Sequence, residues 1–458
     1  MQTSFTPAQL ADPATREADA ILRKCVHCGF CTATCPTYVE LGNELDSPRG
    51  RIYLIKDMLE NDMPASAEVA LHLDRCLSCL SCMTTCPSGV DYMHLIDTAR
   101  VHVEQTYRRP LADRAVRALL AAVLPYPGRF RAALALARIA RPLAPLFEAL
   151  GAPGRRLGAM LRLAARTAPA RSSSPDARRN GADPHPVADG TRPLPSPGEK
   201  RTRVALLAGC AQSAMDPGIN AAAARLLARF GVEVVQVRGE GCCGAIVHHM
   251  GREEQGRALA RHNIDAWTRE IETSGLDAIV VTASGCGTSV KDYGHAFRRD
   301  PAYAEKAKRV SSLALDVTEF IATLDLPKAL PAEPLTVAYH SACSMQHGQR
   351  LHLQPRLLLE KAGFAVKDIP EGHLCCGSAG TYNILQPEIA RRLRDRKVRN
   401  IRSTAPDVIA AGNLGCITQI AGGTDIPICH TVELLDWAYG GPPPATLRQA
   451  ANSRAARA

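Results

Sequence analysis

Aromatic residues are scarce in this 458-residue chain, 4% in all. Stacking platforms for single-stranded nucleic acid are therefore thin, and the formal net charge of +10 does not by itself mark a nucleic-acid partner; none is expected. Long hydrophobic runs are also missing. The best stretches, near 119–124 and 132–137, are interrupted by Arg or Pro and fall short of the ~18 residues that span a bilayer. Residues 1–20 lack both a basic start and an apolar h-region, so no secretory signal is read. The expectation is a cytoplasmic protein, with any membrane contact peripheral and on the cytoplasmic face. Cysteine, by contrast, is abundant. Seventeen in a large cytosolic chain read as metal ligands or redox groups rather than a disulfide framework. The basic excess then suits a partner surface, an anionic membrane face, or compensation of anionic clusters, since four thiolates around a [4Fe-4S]2+ core leave about −2.

Eight cysteines fall within residues 20–100. They form two runs, Cys25-Val-His-Cys28-Gly-Phe-Cys31-Thr-Ala-Thr-Cys35-Pro36 and Cys76-Leu-Ser-Cys79-Leu-Ser-Cys82-Met-Thr-Thr-Cys86-Pro87. Three cysteines at two-residue gaps wrap one cubane, and the fourth, three residues on and before Pro, points toward the other. The expected sets are Cys25, Cys28, Cys31 and Cys86 for one [4Fe-4S] cluster, and Cys76, Cys79, Cys82 and Cys35 for the second. Zinc sites also use Cys-x2-Cys pairs, but two four-Cys runs ending in Pro follow the ferredoxin pattern. Between the runs, Ile52, Leu54, Ile55, Met58 and Leu59 predict a helix over 49–61. His27 is read as a solvent-facing loop residue, with tuning of a potential by hydrogen bonding as the alternative. Arg23, Lys24, Arg49, Arg51 and Arg75 are placed to offset cluster charge.

The chain divides into a mainly α-helical ferredoxin domain (1–105), an Arg/Ala/Leu-rich adaptor of short helices broken by Pro125, Pro127, Pro142, Pro145 and Pro153 (106–166), a linker (167–200), two repeated α/β domains (201–330 and 331–440) and a tail (441–458). The repeat emerges on comparing the chain with itself. Cys210, Cys242-Cys243-Gly244 and Cys286 recur as Cys343, Cys375-Cys376-Gly377 and Cys416, with 32 positions from lone Cys to pair in both copies. Strand, helix, strand, helix, strand order argues a parallel sheet in each, with every one of these cysteines just past a strand's C-terminal end, where open α/β sheets bind ligands. Each set can hold a cluster or a zinc ion, or be small buried hydrophobes. Cys429 has no counterpart and is read as buried. His248, His249, His340, His373 and His430 lie near these cysteines, as extra ligands or as ordinary polar residues.

Gly239-Glu-Gly241-Cys-Cys-Gly244 imitates a dinucleotide fingerprint, with Asp265 beyond it. The second copy keeps the cysteines and loses the glycines, reading Gly372-His-Leu-Cys-Cys-Gly377. No flavin or nicotinamide site is read, so a partner must supply hydride chemistry.

On Cys25 to Arg51, the Gly241-Cys-Cys, the run 282–287 (TASGCG) and the run 373–382 (HLCCGSAGTY), the chain resembles the iron-sulfur subunits of glycolate oxidase. The resemblance implies two FAD-binding partner subunits oxidising glycolate to glyoxylate, with this chain passing electrons to a quinone-linked membrane acceptor. Related subunits serve lactate and glycerol-3-phosphate oxidation, and heterodisulfide reductase-like relatives use the Cys-Cys-Gly sites for disulfide reduction. Those relatives end each copy in Cys-x2-Cys. Here Ala283 and Asn413 replace the first Cys of that pair, which argues against a non-cubane cluster. A zinc-stabilised docking platform is the remaining alternative for the C-terminal half.

Overall fold

Local capping starts the N-terminal helices. Ser47 Oγ accepts from Gly50 N at 2.9 Å and Pro48 opens the helix Pro48–Glu60, within a residue of its expected span. Its Ile52, Ile55 and Met58 turn inward to meet Leu22 of Pro13–Lys24, Leu73 of Ala67–Asp74 and Leu95 of Tyr92–Thr106. The computed structural model describes residues 1–149, 151–164, 202–329 and 335–455; the expected linker lies outside them. The adaptor is helical in short pieces, Leu111–Val123, Pro127–Ala140, Ala144–Glu148 and Gly151–Ala164. Pro127 and Pro145 stand in first turns, where a missing N–H costs nothing, so they begin helices as much as end them.

The C-terminal half holds two four-stranded parallel sheets. Strands β1 (Arg203–Leu206), β2 (Glu233–Val235), β3 (Ala278–Val281) and β4 (Ala314–Asp316) run in the order β2-β1-β3-β4. Strands β5 (Thr336–His340), β6 (Ala365–Asp368), β7 (Val408–Ala411) and β8 (Ile428–His430) repeat that order as β6-β5-β7-β8. The central strands β3 and β7 are buried throughout, as sheets covered on both faces require. β4 and β8 extend the three-strand pattern expected from sequence. Cys429 lies in β8, buried in the core, opposite Ala410.

The two copies share one core. Leu226 and Leu227 meet Leu434 and Leu435, and buried Asp436 accepts from Arg225 at 2.6 Å and Arg229 at 3.1 Å. The ferredoxin module is clamped to both. Asp97 takes His248 at 3.2 Å and His249 at 3.6 Å, His94 bridges Asp91 and Asp292 at 2.6 and 3.0 Å, and Glu40 takes Arg396 at 3.0 Å. Histidines 248 and 249 thus serve docking rather than ligation.

Candidate metal centres

The two ferredoxin runs are conformational twins. His27 and Ser78 have φ of 56° and 48°, and Gly29 and Leu80 follow at 84° and 62°, so each run turns through the left-handed region twice between its first and third cysteines. Short helices then carry the third, Phe30–Thr34 and Ser81–Thr85, and end on Cys35 and Cys86 in near-identical extended geometry. These helices pack on each other, with Thr85 Oγ1 donating to Thr34 Oγ1 at 3.3 Å. This packing sets the two runs face to face, with both fourth cysteines between them. One recess is lined by Cys25, Cys28, Cys31 and Cys86, with Cys82 at its edge. Cys82 interacts with Cys79, Cys76 and Cys35 and also with Cys31, and Cys35 in turn acts on Cys31, so the two sets of thiols adjoin. A set of closely gathered thiols of this kind fits the donor chemistry of a [4Fe-4S] centre.

Charge around the runs is asymmetric. Arg51 is 1% exposed; it donates to His72 O at 2.7 Å and Thr37 Oγ1 at 3.0 Å and reaches Cys35 Sγ at 3.9 Å. Burial opposes its charge, but Cys76, Tyr92, Cys35 and Asp46 hold the guanidinium firmly protonated. Arg49 donates to His27 O at 3.3 Å and pairs with Glu44 at 2.8 Å. Arg75 pairs with buried Asp46 at 2.9 Å, whereas Arg23 turns to Asp19 at 3.0 Å. His27 is stacked on Tyr53, ring centres 4.4 Å apart, rather than facing solvent. Cys28 is exposed, while burial and neighbouring thiols push Cys79 and Cys82 well above the ordinary thiol range.

Both Cys-Cys-Gly motifs have the same local mechanism. Gly244 and Gly377 adopt φ of 88° and 86°, and a Cβ on either would fall 2.6 Å from Gly256 O or 2.5 Å from Ala390 O in the following long helix. Their N–H groups donate back to Cys242 Sγ and Cys375 Sγ, each at 3.4 Å. Glycine is required here by both torsion and space. In the first copy the thiols of Cys210 and Cys243 hydrogen-bond toward Cys242 and lower it below the ordinary thiol range, and Cys286 hydrogen-bonds toward Cys243. In the second the chain runs Cys343, Cys375, Cys376, Cys416. The imitation fingerprint does structural work: Glu240 accepts from Ala208 N at 3.0 Å and Trp267 Nε1 at 3.1 Å. His430 caps its own helix and reaches Thr282 O at 2.8 Å; half-buried His373 offers its carbonyl toward His347 Nε2, 3.4 Å away. His340 is the one of the five that stands among thiols, its ring within 4.8 Å of Cys376 and Cys416.

A cavity of about 400 Å3 joins these features. Cys76 and Cys79 line one side, Cys210, Cys243 and Cys286 a second, and Cys343, Cys375, Cys376 and Cys416 a third. Cys79 is near enough to Cys343 and Cys375 for their charges to interact. Leu120, Leu134 and Met160 of the adaptor supply an apolar wall.

Comparison with known proteins agrees with this construction. Residues 21–90 match the 4Fe-4S dicluster domain, and residues 204–291 and 337–421 match the cysteine-rich domain twice. The glycolate oxidase iron-sulfur subunit of Escherichia coli K12 is 43% identical over 438 residues, 96% of this chain and 99% of its own length. The probable glycolate oxidase iron-sulfur subunit of Bacillus subtilis 168 is 32% identical over 433 residues, 92% and 94% of the two lengths. Lactate utilization protein A of Bacillus licheniformis is 30% identical over 245 residues, 51% of this chain and 99% of its own length. With two dicluster-type cysteine runs, two Cys-Cys-Gly copies and full-length similarity, the chain belongs to the family of glycolate oxidase iron-sulfur subunits.

Proposed function

We propose that this chain relays electrons from glycolate, oxidised to glyoxylate on two FAD-binding partner subunits, to a quinone-linked membrane acceptor. The observation that supports the reading is the placement of the fourth cysteines: Cys86 lines a recess with Cys25, Cys28 and Cys31, and Cys35 lies near Cys79 and Cys82 as well as Cys31. Cys25, Cys28, Cys31 and Cys86 would hold one cluster and Cys76, Cys79, Cys82 and Cys35 the other. When bound, two [4Fe-4S] clusters supply one-electron steps, which divide a two-electron oxidation. The protein supplies the asymmetry. Exposed Cys28 is flanked by Val26, 65% exposed, and Phe30, 62% exposed, an apolar rim suited to a partner at the entry side. Buried Arg51 lies against Cys35 and Cys76 of the second set and balances its charge.

The exit side is the adaptor. Leu136 and Ile139 are 68% and 78% exposed beside Arg131, Arg138 and Arg141, a combination that favours the anionic cytoplasmic membrane face. No helix among the described residues is long and apolar enough to cross a membrane, so this contact is peripheral. Leu134 of the cavity's apolar wall lies on the same helix as Leu136 and Ile139, and that wall suits a lipid-soluble acceptor.

Copurification with two flavin-containing subunits, followed by electron paramagnetic resonance after glycolate addition, tests the reading. Glycolate should generate reduced [4Fe-4S] signals only when the flavin subunits are present. Reduction by lactate or glycerol 3-phosphate but not glycolate would overturn the substrate, and no reducible [4Fe-4S] signal would overturn the relay.

A further inference from the structure

The two Cys-Cys-Gly copies match in backbone, in glycine torsion and in thiol order, but not in what surrounds the sulfurs. Behind Cys210 the first copy places Leu207, and in the long helix after its Cys pair Ile264; both are buried and apolar. At the equivalent positions the second copy has His340 and Lys397, each 1% exposed. Three residues before the last cysteine, the first copy has Ala283 and the second Asn413, whose Nδ2 donates to Cys416 Sγ at 3.6 Å. All three replacements turn apolar into polar, and all three face sulfur.

None of them is explained by fold alone. His340 Nε2 is buried without a hydrogen-bond partner, a costly state for a ring that an aliphatic residue replaces in the sister copy. Lys397 Nζ makes one hydrogen bond, to Glu371 O at 2.9 Å, and otherwise faces Cys343, Cys375 and Cys376. A buried ammonium needs compensating negative charge, which thiolates supply. A cation held by thiolates and an imidazole satisfies every one of these groups together.

We infer that the second Cys-Cys-Gly copy holds a single divalent metal ion on His340, Cys376 and Cys416, with Lys397 balancing the thiolates, and that the first copy does not. The ligand atoms lie within 4.8 Å of one another. Tetrahedral bonds of about 2.0–2.3 Å set donors roughly 3.5–3.8 Å apart, so the triad suits one ion, whereas a four-iron cubane spreads its ligand sulfurs further. Mixed nitrogen and sulfur donors suit Zn2+ or Fe2+. Cys376 and Cys416 line the cavity and His340 does not, so the imidazole would hold the ion from the side away from the cavity. This goes beyond the relay and does not depend on glycolate being the substrate.

The experiment is metal analysis and X-ray absorption on the purified full-length complex, with cubane content read separately by electron paramagnetic resonance. Beyond the cubane iron, about one further Zn or Fe per chain is expected after incubation with one equivalent of Zn2+ or Fe2+, with sulfur scatterers at about 2.3 Å and a nitrogen at about 2.0 Å. His340→Leu, which copies the first site, should lower that occupancy at least ten-fold and leave the cubane signals unchanged. His340→Cys should retain the ion with an all-sulfur shell, which separates ligand loss from misfolding. Cys242→Ser should leave it in place. Absence of any metal beyond the cubanes, an extra ion that survives His340→Leu with its nitrogen scatterer, or two extra ions per chain would each overturn the inference. Loss of cubane signals alone would overturn the relay and not this site.

Discussion

At Arg51, a guanidinium with almost no access to water sits against Cys35 and the carboxylate of Asp46, 3.6 Å away. Removing it leaves the buried Asp46 with only His72 and Arg75, and leaves the thiolate set without its nearest cation. Arg51→Met is therefore expected to lower one of the two cubane potentials by on the order of 60 mV, a ten-fold change for one electron. The other potential should stay in place. A redox titration followed by electron paramagnetic resonance checks this, and equal shifts in both centres would refute the assignment of Arg51 to the Cys76 set. Gly377 makes a second prediction. With φ at 86° and Ala390 O 2.5 Å from where a Cβ would stand, Gly377→Ala should cost at least about 2 kcal/mol in chemical denaturation. Gly380, also at positive φ but with open space around it, should tolerate Ala better.

Among the elements, the clamps between the ferredoxin module and the C-terminal half depend on charge. His94 is held by Asp292 and Asp91 and raised to about 10, against the burial that would lower it. A histidine raised in the folded state contributes stability that is fully present below its ordinary value near 6.5 and declines as pH rises toward 10. Thermal unfolding between pH 6 and 10 should show this decline, and His94→Gln should flatten it while costing about 3 kcal/mol at pH 6. Glu433 has the opposite chemistry. Burial and nearby Asp216 raise it to about 7, so protonation favours the fold and its contribution fades from about pH 4.5 to 7. Glu433→Gln should shrink the fall in stability over that window.

Much of this element layer is legible in the sequence. The cysteine runs, the helix after Pro48 and three strands per copy follow from spacing and apolar periodicity. β4 and β8 do not, because three-residue edge strands such as Ala314–Asp316 and Ile428–His430 are too short to show a period. The roles of the histidines are legible only as candidates. His248, His249 and His340 all lie within six residues of a cysteine along the chain, and only long-range packing sends the first two to Asp97 and the third to sulfur. The thiol-facing lysine is hidden for the same reason, since Lys397 sits in a strongly basic helix, Pro387–Arg402, with nothing local to distinguish it from its exposed neighbours.

For the whole molecule, the proposed crossing of fourth cysteines makes one variant report on a distant run. Cys35→Ser lies in the first run, yet it should perturb the signal of the cluster on Cys76, Cys79 and Cys82, and Cys86→Ser should perturb the other. Spectral changes confined to the run that carries the substitution would refute the exchange.

The second cysteine run is walled in by chain that follows it by some 260 to 310 residues: Thr84 bonds to His347 at 2.7 Å, and Leu77 packs with Tyr382, Ile389 and Leu393. The first set, with exposed Cys28, is open to an iron-sulfur donor in the folded chain, whereas a donor to the second set must reach Cys76 and Cys79 by way of the cavity or act before the C-terminal half closes over them. Loading of the two sets should therefore differ in rate, with the second slowed by the packing of the C-terminal half over it.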